Sequence, residues 1–515
     1  MKRLVPIGAA LAILAAIAWS PARATPHKPD RYAVIIVLDG ARPNYFNLVP
    51  MPHLRALQRR GTTFTNATVG QLIAITPTSH ATIGTGEFPK HHGVMGFWWK
   101  DPKTNALTRP TDLGPVNQGA LEAVLTDHHV HSLAAAVKKA YPNGRVAALS
   151  GHKCYAADAM GTADADYILC AAIYHDRWVA TAMGRHQPPP GAVNNHHFDV
   201  PIPPPTSGFG PQVQQWRLGQ ENDWTTRYAL WIVHRARPRL LMINLPETDV
   251  AMHFAGSNMK VAATLMRHFD RELGRLVASY RRAGILSRTD WIITADHGMS
   301  VIHQRLPFSV LHAAIKDAGA TQVTLEADTA AAISITQNSK ARAVAENVFR
   351  LGGRAIDAAY YKVHNRSGWS YRPAAIQADI RPAVRREYLA LCDTTASASG
   401  PDVLAIYAPH VTTGDRTAGP YHWLAGHLGP QWDEQHIPLI IAGPGVRHGT
   451  SGYPARLVDI APTVETLLGA PIPKVDGHPL ASALAHPTRK AQQEDRRLAP
   501  ALMANVDAQR SRSGD

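Results

Sequence analysis

Several short runs of consecutive apolar residues constrain the fold of this chain more than any other feature. The run YAVIIVLDG, which ends at Asp39 and Gly40, shows no alternation of polar and apolar residues. A strand with one face in water alternates, whereas a strand covered on both faces reads as a continuous apolar run. The chain therefore contains strands from the interior of a sheet. Comparable runs occupy residues 32–40, 145–151, 239–249, 290–298, 402–410 and 437–445.

Helical patterns separate these runs. Leu265, Phe269, Leu273 and Val277 recur at helical spacing, and Gly284 follows them as a stop signal. Strands that alternate with helices predict an α/β fold with a mostly parallel central sheet and helices on both faces. A chain of 515 residues is long enough for one such domain with insertions, or for two domains.

The first 24 residues differ from the rest of the chain. Residues 1–24 begin with two basic residues, continue with an Ala-rich apolar stretch and end in Ala-Arg-Ala. This pattern predicts a secretory signal peptide, and its apolar part is too short and too Ala-rich for a good membrane span. An uncleaved N-terminal anchor is the alternative. We expect a periplasmic or secreted protein that has no membrane attachment after cleavage.

Three further segments depart from the strand and helix pattern. Residues 170–215 include a Pro-rich stretch that cannot form regular structure, and we interpret them as an insertion. Residues 305–420 carry Ala-rich helical segments and several loops, and they predict a second insertion that forms a cap. Residues 487–515 are charged and poor in large apolar side chains, so we expect a disordered tail.

The net charge indicates the class of ligand, and the cysteines allow one disulfide. Lysine and arginine total 53 against 39 acidic residues, a net charge of +14, which attracts anionic ligands. No zinc-finger, recognition-helix or base-stacking motif accompanies this charge, so a small anionic substrate is favoured over nucleic acid. In an oxidising compartment Cys154 and Cys170 could form a disulfide and leave Cys392 free and buried. Three unpaired thiols are the alternative.

Acidic and histidine side chains follow three of the apolar runs. Asp39, Asp249 and the pair Asp296–His297 each lie just beyond a predicted strand, and His253 lies one helical turn after Asp249. Ligands of open parallel sheets bind beyond the carboxyl ends of the strands. Zinc is held by carboxylate oxygens and imidazole nitrogens, so this rim of the sheet predicts a metal site.

The order of these motifs resembles the alkaline phosphatase superfamily, and most closely its nucleotide pyrophosphatase/phosphodiesterase branch. The resemblance covers residues 25–486 as one alkaline phosphatase-like catalytic domain with the two insertions. The motifs that carry it, in chain order, are VLDGARPNYF, TPTSHATIGTGEFPKHHGV, PETDVAMHFAG, TADHGM, GHLGPQWDEQHIPLIIAGPGV and LVDIAPTVETLLGAPIP.

This resemblance implies a two-zinc phosphohydrolase. One ion would be held by Asp249, His253 and His427. The second would be held by Asp39, Asp296, His297 and the hydroxyl of Thr76. Two ions a few ångströms apart can stabilise both the attacking and the leaving oxygen of an in-line displacement.

The nucleophile is one of four hydroxyl groups, those of Thr76, Thr78, Ser79 and Thr82. In the family motif it precedes the motif histidine by four residues, and His80 therefore selects Thr76. Metal coordination lowers the pKa of such a hydroxyl, and Thr76 would form a phospho-threonine intermediate. His80, His91 and His92 are interpreted as packing residues.

Two positions depart from the diesterase branch and leave the substrate class open. Ser79 stands where that branch usually has asparagine as a phosphoryl ligand. Lys153 matches the first basic residue of monoesterase and phosphonoacetate hydrolase relatives, but Tyr155 replaces the second. Lys153 is either a substrate ligand or a solvated surface lysine. The aromatic residues 97–99 are either a wall for the leaving group or part of the core.

The favoured function is the hydrolysis of phosphodiester or pyrophosphate bonds in a small phosphate ester. The alternative is a phosphomonoesterase or a phosphonoacetate hydrolase-like enzyme that uses the same site. A sulfatase would need a Cys/Ser-x-Pro-x-Arg signature, which the chain lacks. A non-catalytic metal-binding protein is less favoured because no ligand has been lost. The sequence gives neither the physiological substrate nor the oligomeric state.

Overall fold

The apolar runs form strands, and the amphipathic segments between them form helices. The computed structural model describes residues 30–111, 120–174, 177–182, 200–201, 218–414 and 423–513. The predicted signal peptide and most of the 170–215 insertion lie outside these residues.

The strands are β1 (Tyr32–Leu38), β2 (Gly61–Phe64), β3 (Trp99–Lys100), β4 (Leu107–Thr108), β5 (Val146–Leu149), β6 (Tyr167–Tyr174), β7 (Arg177–Ala182), β8 (Val200–Pro201), β9 (Leu240–Leu245), β10 (Thr289–Thr294), β11 (Ser300–Val301), β12 (Gln304–Leu306), β13 (Gln322–Ala327), β14 (Ala330–Ile335), β15 (Ile356–Asn365), β16 (Gly368–Ile376), β17 (Val403–Tyr407), β18 (Val411–Thr413), β19 (Ala425–Gly426), β20 (Leu439–Ala442) and β21 (Gly449–Ser451).

The α-helices are α1 (Pro52–Gln58), α2 (Thr76–Thr85), α3 (Pro89–His92), α4 (Ala120–Asp127), α5 (Leu133–Ala140), α6 (Cys154–Gly161), α7 (Gln220–Ala236), α8 (Glu247–Ala255), α9 (Met259–Arg282), α10 (Phe308–Asp317), α11 (Ala341–Gly352), α12 (Pro382–Cys392), α13 (Trp432–Gln435), α14 (Ile460–Leu468) and α15 (Arg489–Ser513).

The main sheet has ten strands in the order β21-β2-β20-β10-β1-β9-β5-β6-β7-β8. Its centre is parallel, because β1 pairs in parallel with both β10 and β9, and β5 pairs in parallel with β9 and β6. Strands β20 and β7 are antiparallel to their neighbours. Every residue of β9 and β10 is buried. The predicted α/β fold with a mostly parallel sheet is confirmed.

A second, antiparallel sheet is built from residues of the predicted 305–420 insertion, with the order β13-β14-β17-β15-β16. Strand β17, whose apolar run predicted a strand covered on both faces, belongs to this second sheet. Its run is continuously apolar because its residues alternate between two separate cores. Val403, Ala405 and Tyr407 pack with α10 and α11, whereas Leu404 and Ile406 pack with α12.

The predicted disorder of residues 487–515 is also wrong, because residues 489–513 form helix α15. Polar contacts rather than a large apolar face hold this helix. The guanidinium of Arg512 donates two hydrogen bonds to Asp357, at 2.7 and 2.6 Å. Gln509 donates to the buried carboxyl of Glu387 at 2.7 Å. Low hydrophobicity therefore does not indicate disorder in this segment.

Among the cysteines, Cys154 and Cys170 form a disulfide, and Cys392 is free and buried. The bridge joins the first residue of α6 to β6. No helix among the described residues is long and apolar enough to cross a membrane.

Candidate active site

The three central strands of the main sheet deliver acidic residues to one rim. Asp39 follows β1 directly, Asp249 lies on α8 after β9, and Asp296 follows β10 by two residues. Gly40 allows this convergence. Its φ is +69°, and a Cβ atom there would lie 2.8 Å from the Cα of Asp249. A side chain at position 40 would therefore push the first and second acidic residues apart.

The predicted ligands lie in two groups of three. Asp249, His253 and His427 form one group, and Asp39, Asp296 and His297 form the other, with the ligand atoms of each group within 4.8 Å of one another. All six side chains are buried. In the first group the Nε2 atoms of His253 and His427 lie 3.2 and 3.3 Å from Oδ1 of Asp249.

The orientation of the imidazoles fits a cation. The Nδ1 atoms of His253, His427 and His297 donate to the carbonyls of Ala425, Ala74 and Gly298 at 2.8, 2.8 and 2.9 Å. A neutral ring that donates through Nδ1 turns an acceptor lone pair at Nε2 toward the carboxylates. Such outer contacts are typical of histidine ligands of metals.

Unpaired buried atoms give independent support for a cation. Among the described residues, Oδ1 of Asp249, Oδ2 of Asp296 and Nε2 of His297 are buried and have no hydrogen-bond partner. Buried polar groups without partners are rare and costly. Acceptors that face one another, as these do, need a proton, a water molecule or a metal ion between them. Mixed nitrogen and oxygen donors in groups of three suit zinc.

Electrostatics at the rim reflects this crowding of acids. Burial and the neighbouring carboxylate of Asp296 raise the pKa of Asp39. Burial opposes ionisation of Asp249 as well, but Lys153 and His253 outweigh burial and hold its pKa well below the usual range. Burial likewise opposes the charging of His427, yet the carboxylate of Asp249, 3.3 Å from its Nε2, raises the pKa of His427 to about 9.

Thr76 is the hydroxyl that contacts a ligand side chain directly. It is the first residue of α2, and its Oγ1 donates to Oδ1 of Asp39 at 3.4 Å. The loop before it is strained, since Ile73 has a φ of +59°, which is rare for a β-branched residue. Two hydrogen bonds nevertheless hold the loop in place. The backbone N–H of Ala74 donates to the carbonyl of Leu428, and the carbonyl of Ala74 accepts from His427.

Among the described residues the other hydroxyl candidates make no hydrogen bond to the six ligand side chains, whereas His80 Nδ1 lies 3.5 Å from Asp296 Oδ2. Thr82 donates to Gln71 at 2.7 Å and contacts His92 at 3.1 Å, as a packing role requires. Ring nitrogen Nδ1 of His80 donates to the carbonyl of Thr76 at 2.7 Å. The hydroxyls of Thr78 and Ser79 are buried and lack a partner among the described residues. His91 contacts Asp476 near the surface.

Lys153 is buried inside the site, so its interpretation as a solvated surface lysine is wrong. Its Nζ donates to Asp39 at 2.9 Å, to Asp249 at 2.7 Å and to Thr76 at 3.2 Å. Burial disfavours the charged ammonium, but Asp249 and Asp39 outweigh burial and raise the pKa of Lys153 well above its usual value.

An open cleft of about 760 Å³ adjoins Thr76 and runs toward the five-stranded sheet. Phe97 and Trp98 line it, whereas Trp99 is buried in a separate core. Of residues 97–99, two therefore face the cleft and one belongs to the core. Other aromatic residues of the cleft are Tyr155, Phe254, Phe308 and Trp423. The ring of Tyr155 lies edge-on to Phe97 at 5.4 Å.

Sequence reasoning missed several residues of this region. Trp423 stacks near His253, with 4.1 Å between ring centroids. The buried carboxyl of Glu326 accepts from the backbone N–H of Phe97, and burial raises the pKa of Glu326 to about 8. Asn244 donates to the outer oxygen of Asp39 at 3.2 Å. Asn244 had a usable signal, since a polar residue interrupts an otherwise apolar strand.

Known proteins resemble this chain in sequence family and in fold. The family model of type I phosphodiesterase/nucleotide pyrophosphatase matches residues 33–414. No sequence among curated proteins matches the chain. The solved structure of murine ectonucleotide pyrophosphatase/phosphodiesterase 5 is 16% identical with a TM-score of 0.57, and the match covers 87% of this chain and 97% of that one. It has also been solved as an inactive threonine-to-alanine variant in complex with AMP.

A second solved relative is the alkaline phosphatase PafA, which is 15% identical with a TM-score of 0.67, over 89% of this chain and 99% of that one. These low identities show a common fold. The family match extends over most of the chain and includes Asp39, Thr76, Asp249 and Asp296. This protein has the fold of these structures and is a member of the type I phosphodiesterase/nucleotide pyrophosphatase family, a hydrolase of phosphate esters.

Proposed function

We propose that this protein hydrolyses phosphodiester or pyrophosphate bonds through a phospho-threonine intermediate at a two-zinc site. The single observation that carries this proposal is the position of Thr76 Oγ1 beside two buried groups of three metal-ligand side chains. Asp249, His253 and His427 would hold one ion. Asp39, Asp296 and His297, with Thr76 Oγ1, would hold the other.

The bound ions would act as Lewis acids that activate the nucleophile and stabilise charge on the phosphoryl oxygens. The chain's own residues would do the rest. Asp39 accepts the hydrogen bond of Thr76 and so orients its oxygen. Thr76 would release its hydroxyl proton to solvent and attack phosphorus, while the bond to the leaving group breaks and that group departs with its bridging oxygen and takes up a proton. Water would then cleave the phospho-threonine, release the phosphate product and restore the Thr76 hydroxyl. Thr76 lies at the N-terminus of α2, where the helix dipole favours an anion.

Two further residues would contact the substrate. Lys153 lies within 3.2 Å of Thr76 Oγ1 and can donate to a phosphoryl oxygen. Ser79, in the first turn of α2, has a hydroxyl that needs a partner. Because hydroxyl and ammonium donors suit negative oxygens, we assign both residues to phosphoryl binding.

The cleft favours a diester over a monoester. A diester carries a second organic group, and the aromatic cleft beside Thr76 offers apolar surface for it. The AMP complex of the murine relative supports a nucleotide diester or pyrophosphate as substrate, because AMP is a monoester that such a cleavage would release. A monoester dianion would instead favour two cationic donors, and Tyr155 stands where monoesterase relatives have the second.

The alternative function is monoester or phosphonoacetate hydrolysis, and the burial of Lys153 beside Thr76 favours it. The wild-type protein should be assayed with zinc on a chromogenic monoester, a diester and phosphonoacetate, together with Lys153→Ala. We expect the diester to react fastest. The variant should lose about 2–4 kcal/mol in kcat/KM for the monoester, the range for one charge-stabilising donor.

Diester hydrolysis should fall by less than about tenfold in Lys153→Ala. A wild-type protein that prefers monoesters by about tenfold or more, with the preference abolished in the variant, would instead establish the alternative. Ser79→Ala provides the second donor test.

The metal content requires a separate measurement. We expect about two zinc ions per chain by elemental analysis, because the six ligands divide evenly. A chelator should abolish activity and zinc should restore it. Active protein without a transition metal would contradict the proposal.

The site of action is part of the same proposal. The N-terminal sequence agrees with export to the periplasm or the medium. Cleavage after residue 24 can be measured by N-terminal sequencing of protein secreted from cells.

A further inference from the structure

We propose that Lys153 is an internal counter-ion that competes with one of the two zinc ions and moves into the cleft when that ion binds. This inference rests on the proposed metal site and goes beyond it, because it assigns to the chain itself a control over metal loading.

The contacts of Lys153 define the competition. Its ammonium joins the two ligand groups, since it donates to Asp39 Oδ1 in one and to Asp249 Oδ2 in the other. Asp249 offers a different atom, Oδ1, to His253 and His427, so its metal-facing atom stays available. Asp39, in contrast, uses the same oxygen for the lysine and for the histidine of its group. Its Oδ1 faces both the ammonium at 2.9 Å and Nε2 of His297 at 3.6 Å.

An ion in the second group would share that oxygen with the ammonium. Zinc binds carboxylate oxygens at about 2.0–2.2 Å, which would place it within a few ångströms of Nζ. Like charges this close repel strongly in a buried site of low dielectric. The ion in the group of Asp39, Asp296 and His297 should therefore displace the ammonium, whereas the ion in the group of Asp249 should meet less opposition.

The surroundings of Lys153 allow its side chain to move while its backbone stays fixed. The preceding residue is anchored, because the backbone and ring nitrogens of His152 lie 2.6 and 2.7 Å from Glu221 Oε1. The following residue is Cys154, which is held by the disulfide to Cys170. The side chain itself lines the cleft. Movement of the ammonium toward the cleft would bring it to the substrate's phosphoryl oxygens.

Zinc titration of Lys153→Met tests this inference. Methionine fills similar volume without charge. Affinity should be measured by competition with a chromogenic zinc chelator, and thermal stability by circular dichroism with chelator and with excess zinc. We expect one of the two binding steps to tighten by about tenfold or more, with the other changed by less than about threefold.

Stability supplies the second readout. With chelator present, Lys153→Met should melt below wild type, because Asp39 and Asp249 lose their counter-ion. With excess zinc the difference should vanish or reverse. Lys153→Arg, which keeps the charge, should bind zinc as the wild type does.

Lys100→Met is the matched control. Lys100 is also a buried lysine and donates to Asp402 at 2.6 Å, away from the six ligands. Its variant should lose stability equally with and without zinc, and zinc affinity should not change. Equal zinc binding by wild type and Lys153→Met would overturn this inference alone. No zinc binding by any of these proteins would overturn the proposed function as well.

Discussion

The rim of the main sheet and the interior of the five-stranded sheet both bury charged side chains, but with opposite balances of charge. In the five-stranded sheet, Asp402 lies between two ammonium groups, with Lys100 at 2.6 Å and Lys362 at 3.4 Å. Carbonyl oxygens complete that network, since Lys100 donates to Ile335 and Lys362 donates to Ala398 and Gly400.

At the rim the acids exceed the cations. Asp39, Asp249 and Asp296 converge there, and Lys153 is the one lysine in contact with them among the described residues. Carboxylate and imidazole atoms remain without partners. A network that balances its own charge needs no added ion, whereas a network with an excess of buried acids favours a cation from outside.

The largest predicted effect is on kcat, and it distinguishes the rim from networks that only stabilise the fold. Thr76→Ala should lower kcat by roughly 10⁴ to 10⁶-fold, because it removes the covalent step, while the zinc content stays close to two. Thr78→Ala and Thr82→Ala are the controls and should keep most activity. Retained activity in Thr76→Ala together with its loss in Thr78→Ala would show that the nucleophile is Thr78.

The second prediction compares the stability that one buried aspartate contributes in each of the two networks. Asp402→Asn should destabilise the protein by about 3–5 kcal/mol, because two buried ammonium groups lose their counter-ion. Asp296→Asn should cost less than about 1 kcal/mol in the presence of a chelator, since Oδ2 of Asp296 has no hydrogen-bond partner to lose.

Chemical denaturation of the two variants measures both values. Zinc analysis should show the reverse order, with the loss of an ion in Asp296→Asn only. A larger destabilisation in Asp296→Asn than in Asp402→Asn would contradict the assignment of the rim as a ligand site.

A third prediction uses pH. Burial opposes the charging of His478, but Asp459 at 3.1 Å and Asp495 at 3.0 Å outweigh burial and raise the pKa of His478 to about 9. A raised folded-state pKa adds stability that is complete below the unfolded value of about 6.5 and is lost as the pH rises through the folded value.

The protein should therefore lose up to about 3 kcal/mol between pH 6.5 and 9 from this group. His478→Gln should flatten that part of the profile, as measured by denaturation at several pH values. An unchanged slope in the variant would show that another group is responsible.

The smallest predicted effect concerns helix α15. Arg512→Ala should cost about 2 kcal/mol, because it leaves Asp357 buried with only the hydroxyl of Tyr388 as a side-chain partner. Arg497→Ala, which removes an exposed pair with Glu494, should leave stability unchanged. Equal melting temperatures of the two variants would show that the helix is held by other contacts.

Much of the fold could be predicted, and the exceptions have physical causes. Runs such as residues 32–40 identify buried strands because both faces are covered. That rule does not say which sheet covers them, and β17 is apolar on both faces because two different cores enclose it. Helix α15 was missed because hydrogen-bonded charges such as Arg512–Asp357 replace apolar burial, and hydropathy does not detect such pairs.

The sequence by itself determined the kind of chemistry, since carboxylates and histidines after strand ends, with a threonine four residues before His80, are local patterns. Only the tertiary structure decided which atoms face one another. It placed Lys153 among the ligands and not in water, Trp99 in a core and Trp98 in the cleft. Local patterns can be identified along the chain, but distances between residues far apart in sequence, such as Lys153 and Asp39, depend on the packing of the whole sheet.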